Sequence, residues 1–229
     1  MSANGIRFNS GGEMNHLIPL TPAEIHLWLA FYDEVVDAPL YSAYRELLNV
    51  AEKKQQQRFY FARDRRRYLI TRALVRTVLS RYVSIHPNKW VFSTNAYGRP
   101  EIFNAQARAE RLSFNISHTH SLIVLGVTKR RALGVDVENF LARKASIDIA
   151  ERYFAPQEIA VLMAAPPDQQ QYRFFEYWTF KEAYIKARGM GLALPLDKFS
   201  FHYPGDHEVA ITIHPELGDD SARWQFWQF

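Results

Sequence analysis

The chain has 229 residues, 48% of them hydrophobic, and a formal net charge of +4. This is enough apolar material for one large domain or two small ones. The absence of cysteine excludes disulfides and thiolate chemistry and is compatible with a cytoplasmic location. No apolar run is long enough to span a bilayer, and the polar residues 1–16 are expected to form a disordered leader.

The first half of the chain predicts both strands and helices. Partial alternation and aromatic side chains indicate a strand over residues 24–32. Residues 51–83 have a helical pattern without Gly or Pro, which predicts one long helix or two abutting helices. A strand at 90–93 leads into a tight turn at 95–100. Three apolar segments, at 112–116, 122–127 and 133–137, are predicted to be neighbouring strands of one sheet.

The second half has a similar order of elements. Helices are predicted at 147–153, 156–163 and 169–187, and Gly189 and Gly191 are expected to stop the last of them. Strands follow at 199–203 and 209–213. Each half therefore contains a long helix and a small sheet, which predicts an α+β fold of two similar lobes, 17–132 and 133–229.

Acidic residues at two distant places in the chain predict a metal site. In a strand, residues two apart point to the same side, so Asp136 and Glu138 present two carboxylates on one face. The apolar flanks favour a central strand, where two like charges need a cation. On the last long helix, Glu182 and Lys186 are four residues apart and share a face, with Lys181 beside them. Magnesium sites typically have a small number of carboxylate ligands from the protein and leave coordination positions for phosphate oxygens. The pattern therefore predicts a magnesium–diphosphate site.

Positive charge is concentrated in residues 63–67, where four of five residues are arginine. A single arginine here is expected on a solvated helix face. The cluster instead favours an anionic partner, which from the residues alone is a nucleic acid, a phosphorylated small molecule or an acidic protein.

Five short phrases stand in a specific order along the chain. They are Arg58-Phe59-Tyr60 with Arg63-Asp64, Phe92-Ser93-Thr94 with Tyr97-Gly98-Arg99-Pro100, Phe114-Asn115-Ile116-Ser117-His118, Gly134-Val135-Asp136-Val137-Glu138, and residues 178–186 with Gly189. In this order they resemble the Sfp-type 4′-phosphopantetheinyl transferases, from about residue 58 to residue 201. One phrase alone would be weak evidence for the resemblance, but five phrases in the same order make it specific.

The resemblance implies a pseudodimer of two similar α/β lobes with coenzyme A between them. It implies transfer of the 4′-phosphopantetheine arm to a serine of an apo acyl or peptidyl carrier protein, with release of adenosine 3′,5′-bisphosphate. Magnesium is the implied cofactor, and we expect a cytoplasmic monomer that binds neither nucleic acid nor membrane. Whether the carrier serves fatty-acid, polyketide or nonribosomal-peptide synthesis stays open.

The resemblance also implies roles for individual residues. Asp136, Glu138 and Glu182 are similar to the family's magnesium ligands. Lys181 and Lys186 match lysines that contact phosphate, whereas Arg63, Arg99, Ser117 and His118 match positions that hold the nucleotide and its 3′-phosphate. The base that takes the serine proton is Glu182, directly or through water, or Glu158, which resembles another acidic residue implicated in the family.

The chain departs from the family pattern at two places. Basic residues often precede the Arg58-Phe59 phrase in the family, but Glu52 and Gln55 stand at those positions here. The C-terminal lobe lacks the final apolar strand, so either the sequence is truncated or this lobe is smaller. Two other functions stay open: a basic nucleic-acid-binding module and an inactive homologue that binds carrier proteins.

Overall fold

A computed structural model describes residues 17–142, 144, 147–205 and 208–229. The predicted leader at residues 1–16 lies outside these ranges. Among the helices within them, none is both long and apolar enough to cross a membrane.

The first lobe packs a long helix against a three-stranded antiparallel sheet. Its elements are β1 (Ile25–Phe31), α1 (Ala38–Leu47), α2 (Val50–Arg58), α3 (Ala62–Leu79), β2 (Phe92–Thr94), β3 (Pro100–Ile102), α4 (Ala105–Ala109), β4 (Leu112–His118) and β5 (Leu122–Lys129). The strand order is β1-β5-β4, and β2 pairs with β3 in a separate ribbon. Leu125 at the centre of β5 lies opposite both Trp28 and Ile116. Its side chain is buried in one core with Val78 and Leu79 of α3.

The helical region predicted over 51–83 is two helices, separated at residues 59–61. Arg65 bridges the break, since its Nη1 donates hydrogen bonds to the carbonyl oxygens of Phe59 and Tyr60. α1 was not predicted, although Asp37 and Pro39 are a helix-start signal: the Asp37 side chain accepts a hydrogen bond from the N–H of Leu40.

The second lobe packs its own long helix against a two-stranded ribbon. Its elements are α5 (Ile147–Tyr153), α6 (Pro156–Ala164), α7 (Pro167–Arg188), β6 (Phe199–Gly205) and β7 (Glu208–Ile213). The predicted helices and strands of this half are confirmed. Gly189 ends α7 in the left-handed conformation, with φ of 67°, as predicted. Aromatic side chains fill the core, where Tyr184 and Phe199 are almost completely buried and have ring centroids 4.8 Å apart.

The two lobes confirm the predicted α+β class and its pseudodimeric arrangement, with α3 and α7 as the corresponding long helices. The lobes differ in their sheets, because the described part of the second lobe has only β6 and β7. Its last residues form no strand. Trp224 and Phe226 instead pack on the aromatic core.

Residues 133–137 do not form the predicted strand, and β1 is the third strand of the sheet. This segment crosses the face of the sheet: a Cβ atom added at Gly126 would lie 2.7 Å from the Val135 side chain. Side chains of β4 bind its backbone, since Asn115 Oδ1 accepts from the N–H of Val135 at 2.8 Å and Ser117 Oγ accepts from the N–H of Val137 at 3.3 Å. With these groups satisfied by side chains, strand pairing is not required. Residues 133–138 are called the acidic segment below.

Candidate active site

The acidic segment lies between the sheet of the first lobe and helix α7 of the second. Contact with α7 is so close that a Cβ atom at Gly134 would lie 1.7 Å from the carbonyl oxygen of Ala183. Only glycine fits there, because the obstacle is helix backbone and cannot move aside. This approach brings Asp136 to the face of α7 that carries Glu182 and Lys186.

A cavity of about 280 Å³ opens at this junction. Its walls come from both lobes: the turn at residues 97–100 and strand β4 on one side, α7 and the residues after it on the other. Glu182 and Lys186 line it, as does Arg99. Arg99, Glu182 and Lys186 are therefore neighbours, although more than 80 residues separate Arg99 from Glu182 in sequence.

Lys186, Asp136 and Ser117 form one hydrogen-bonded group. Lys186 Nζ lies 2.6 Å from Asp136 Oδ1 and 2.9 Å from Ser117 Oγ, and it also reaches the carbonyl oxygen of Val135 at 3.2 Å. Ser117 Oγ donates to Asp136 Oδ1 at 2.8 Å. Ser117 thus orients Asp136 and also accepts from the backbone of the acidic segment.

Negative charge at the site exceeds what Lys186 neutralises. Burial raises the pKa of the Glu182 carboxyl, and the charges of Asp136 and Glu138 also raise it, although Lys186 opposes the shift. The Asp136 side chain is only 7% exposed, and its second oxygen, Oδ2, is buried without a hydrogen-bond partner. A buried carboxylate oxygen without a partner is costly, so this site is chemically suited to a cation.

The described residues contain no ready-made group of three or more His, Cys, Asp or Glu side chains that could hold a metal ion. The negative charges of Asp136 and Glu138 nevertheless act on the Glu182 carboxyl, and Asp136 itself carries the oxygen without a partner. The donor set is all oxygen, which suits magnesium. The residues present therefore fit the predicted ion by charge and chemistry.

The structure places the predicted residues Lys181 and Glu158 away from the cavity, in the interior of the second lobe. Lys181 Nζ is fully buried and bonds the carbonyl oxygens of Leu196 at 2.8 Å and Phe199 at 2.7 Å. It also pairs with Glu158 at 2.7 Å. Both Glu158 oxygens accept backbone N–H groups, from Ala155 and from Phe201. Both side chains thus bond within the second lobe, and neither lines the cavity.

His118 marks the end of the site nearest to α3. It lies at the exposed end of β4. Partial burial lowers the pKa of its imidazole, and the positive charges of Arg67 and Lys186 lower it further. Arg67 is therefore a basic residue near the site that sequence reasoning missed. Its position one helical turn after Arg63 was the available signal. Arg63 itself is exposed and stacks on Phe61, with its guanidinium carbon 5.4 Å from the ring centroid.

Arg99 lines the cavity and also binds the end of α7. Its Nη1 donates to the carbonyl oxygen of Ala187 at 2.9 Å, and its buried Nε has no partner. Burial lowers the pKa of this guanidinium. A cation at a helix C-terminus is favourable because the last carbonyl groups are unsatisfied there.

Comparisons with known proteins cover both lobes. Residues 132–229 match the 4′-phosphopantetheinyl transferase superfamily, and residues 38–130 match the family of 4′-phosphopantetheinyl transferase N-terminal regions. A 4′-phosphopantetheinyl transferase of Bacillus subtilis is 35% identical over 189 residues, 81% of this chain and 81% of the relative. HetI of Nostoc sp. PCC 7120 is 34% identical over 77% of this chain and 73% of the relative. Sfp of Bacillus subtilis strain 168 is 32% identical, with 81% of each covered.

Proposed function

Because the chain belongs to the 4′-phosphopantetheinyl transferases and is an enzyme of this type, we propose that it transfers the arm of coenzyme A to a serine of an apo carrier protein. The carrier is an acyl or peptidyl carrier protein, and the second product is adenosine 3′,5′-bisphosphate. The observation that supports this best is that Glu182 and Lys186 line a cavity between the lobes, where Lys186 bonds Asp136 at 2.6 Å and the charges of Asp136 and Glu138 act on Glu182.

A magnesium ion is part of the proposal. Asp136 through its free Oδ2, Glu138 and Glu182 would hold it. When bound, it supplies a Lewis acid that neutralises charge on the diphosphate of coenzyme A.

The chain's own residues supply position and charge. In the reaction the serine oxygen forms a bond to the β-phosphorus, and the bond from that phosphorus to the bridging oxygen breaks. The electron pair leaves with adenosine 3′,5′-bisphosphate. Lys186 faces the cavity, where its ammonium group can neutralise charge on the phosphate. Arg99 and Arg67 provide positive charge for the nucleotide end, and His118 beside Arg67 offers a neutral imidazole as a hydrogen-bonding group.

Glu182 is the proposed acceptor of the serine proton, directly or through water. Its side chain lines the cavity into which the serine hydroxyl must enter, so its carboxylate is within reach of the proton that has to leave. Glu182 is preferred over Glu158 because Glu158 is buried and paired with Lys181. The net charge of +4 would favour encounter with an acidic carrier protein. A cytoplasmic location and a monomeric state remain part of the proposal.

The direct test is a transfer assay. The protein is incubated with magnesium, coenzyme A carrying a fluorescent label on its thiol, and each of several apo carrier proteins. We expect label on the carrier's serine and none when a chelator replaces magnesium. A matched carrier with that serine changed to alanine should stay unlabelled. If the folded protein labels no carrier in the panel, the proposed function is wrong.

A further inference from the structure

A turn of the first lobe holds the C-terminal end of α7 through two hydrogen bonds. Asn95 Nδ2 donates to the carbonyl oxygen of Gly189 at 2.7 Å, and Arg99 Nη1 donates to that of Ala187 at 2.9 Å. Both bonds cross from the first lobe to the second. The three residues Asn95, Arg99 and Gly189 are called the interlobe clamp.

Asn95 also fixes the turn from which it reaches across. Its Oδ1 accepts hydrogen bonds from the N–H groups of Tyr97 and Arg99, both at 2.9 Å. Its backbone carbonyl accepts from the N–H of Gly98 at 3.1 Å. One side chain thus uses its oxygen to shape the turn and its nitrogen to bind the other lobe, so movement of the turn and movement of α7 are coupled.

Gly189 suits this contact because of its backbone conformation and because it has no side chain. Its φ of 67° lies in the left-handed region, where a side chain causes strain. An added Cβ atom would lie 2.9 Å from Arg99 Cδ and 3.2 Å from Asn95 Nδ2. The clamp therefore closes tightly only on glycine.

The position of the clamp connects it with the proposed chemistry. Lys186 lies three residues before Gly189 and Glu182 seven residues before it, so both are within two turns of the clamped end. Lys186 bonds Asp136 of the acidic segment and Ser117 of β4, and the charge of Asp136 also acts on Glu182. The distance from Glu182 and Lys186 to those residues depends on how α7 is placed against the first lobe.

We propose that Asn95 is a positioning residue for the transfer reaction, because it locks the end of α7 in the place that Glu182 and Lys186 require. It acts through the Gly189 carbonyl and the turn, not by contact with the substrates. This inference rests on the proposed transferase function. A displacement of reacting groups by about 1 Å can cost on the order of 100-fold in rate.

The test compares Asn95→Ser with Asn104→Ser. A serine at 95 keeps an oxygen that can accept within the turn but is too short to reach Gly189. Asn104 is a matched control within the first lobe: its Oδ1 accepts from the N–H of Val91 at 2.7 Å and its Nδ2 donates to the carbonyl oxygen of Lys89 at 3.0 Å. It does not line the cavity.

For Asn95→Ser we expect kcat to fall by about 10- to 100-fold, with the KM for coenzyme A and for the carrier changed by less than about threefold. The amide of Gly189, which bonds the Ile185 carbonyl, should exchange with deuterium at least about tenfold faster. Asn104→Ser should keep kcat within about twofold. Gly189→Ala should lower kcat to a similar extent as Asn95→Ser. The double variant Asn95→Ser/Gly189→Ala should have a kcat no lower than that of the slower single variant, because both substitutions break the same contact.

Three kinetic outcomes would overturn the inference: wild-type kcat in Asn95→Ser, a rise in KM without loss of kcat, or an equal loss of kcat in Asn104→Ser. If the wild-type protein transfers nothing, the proposed function fails, and the exchange rate of Gly189 still reports whether Asn95 holds α7. Unchanged exchange in Asn95→Ser would by itself contradict the clamp.

Discussion

Lys181 and Lys186 are five residues apart on α7, and the structure gives them different environments. Five residues rotate a helix by about 140° relative to the starting side chain. Lys186 therefore faces the cavity and bonds Asp136, whereas Lys181 points into the second lobe and pairs with Glu158. The position of a lysine within the motif therefore does not establish whether its side chain faces the cavity or is buried in the second lobe.

Glu182 offers the sharpest test at the scale of one residue. Glu182→Gln removes the proposed proton acceptor with almost no change in shape, and we expect kcat to fall by about 100-fold or more. The melting temperature should stay within a few degrees of the wild-type value. Asp168→Asn, an exposed change about 21 Å away on the same helix, serves as the control. A Glu182→Gln protein with wild-type kcat would refute the assigned role.

At the scale of elements, the buried pair of Glu158 and Lys181 joins α6, α7 and β6. We expect Lys181→Met to lower the free energy of unfolding by about 3–5 kcal/mol, because Glu158 is left buried without its cation. Adding Glu158→Gln should restore part of this loss, since an amide oxygen can still accept from the N–H of Phe201. Urea denaturation of both variants measures the difference. Equal stability of the single and double variants would contradict this account.

A second buried network joins α2 to α3. Glu52 Oε2 bonds Arg76 Nη2 at 2.7 Å, and its Oε1 bonds Arg72 Nε at 2.7 Å. Burial by itself would raise the pKa of Glu52, but the charge of Arg72 and a hydrogen bond from Asn49 together lower it below its ordinary value of 4.5. The family's basic position at residue 52 is thus occupied here by a structural acid.

This network predicts a pH dependence of stability. Because the folded-state pKa of Glu52 is depressed, its contribution is present above about pH 4.5 and is lost as pH falls through the folded pKa. We expect Glu52→Gln to cost about 3 kcal/mol at pH 7 and progressively less towards pH 3, as measured by urea denaturation. Glu46→Gln, which removes an exposed carboxylate, controls for surface charge. A cost that does not depend on pH would show that the ion pairs are not its source.

At the scale of the whole molecule, the last residues complete the second lobe without adding a strand. Asp219 accepts hydrogen bonds from Tyr184 and Arg188 of α7 and from the Trp224 indole. Phe226 then packs against Phe201, with ring centroids 4.8 Å apart. This segment covers the face of α7 that points away from the cavity.

The packing predicts that the end of the chain stabilises the fold. Phe226→Ala should lower the free energy of unfolding by about 2 kcal/mol, because a half-buried aromatic ring is removed from the core. Phe229→Ala provides the comparison: that side chain is 99% exposed, and its loss should change stability by less than about 0.5 kcal/mol. Thermal or urea unfolding tests both. Equal effects of the two changes would show that the segment is not held as described.

Most helices and strands could be predicted from the sequence, because the signals for them are local, whereas the helices α1 and α4 were not predicted. Gly189, for example, stops α7 through its own backbone conformation. The conformation of the acidic segment, which is not a strand, could not be predicted. Its apolar alternation is that of a strand, but Asn115 and Ser117 bind its backbone from the face of the sheet. That competition for N–H groups arises only once β4 and the segment are brought together.

By itself the sequence determined the two-lobed arrangement and predicted a shared helix face for Glu182 and Lys186, because motif order and helical periodicity are properties of the chain. The magnesium-binding role of Asp136, Glu138 and Glu182 stays a prediction. Only the tertiary structure decided that Lys181 and Glu158 are buried, that Arg67 rather than Arg63 is the basic neighbour of His118, and that Asn95 reaches the other lobe. The physical reason is that the rotation of a helix against its neighbours, and the partners left for each polar atom, depend on packing between segments distant in sequence.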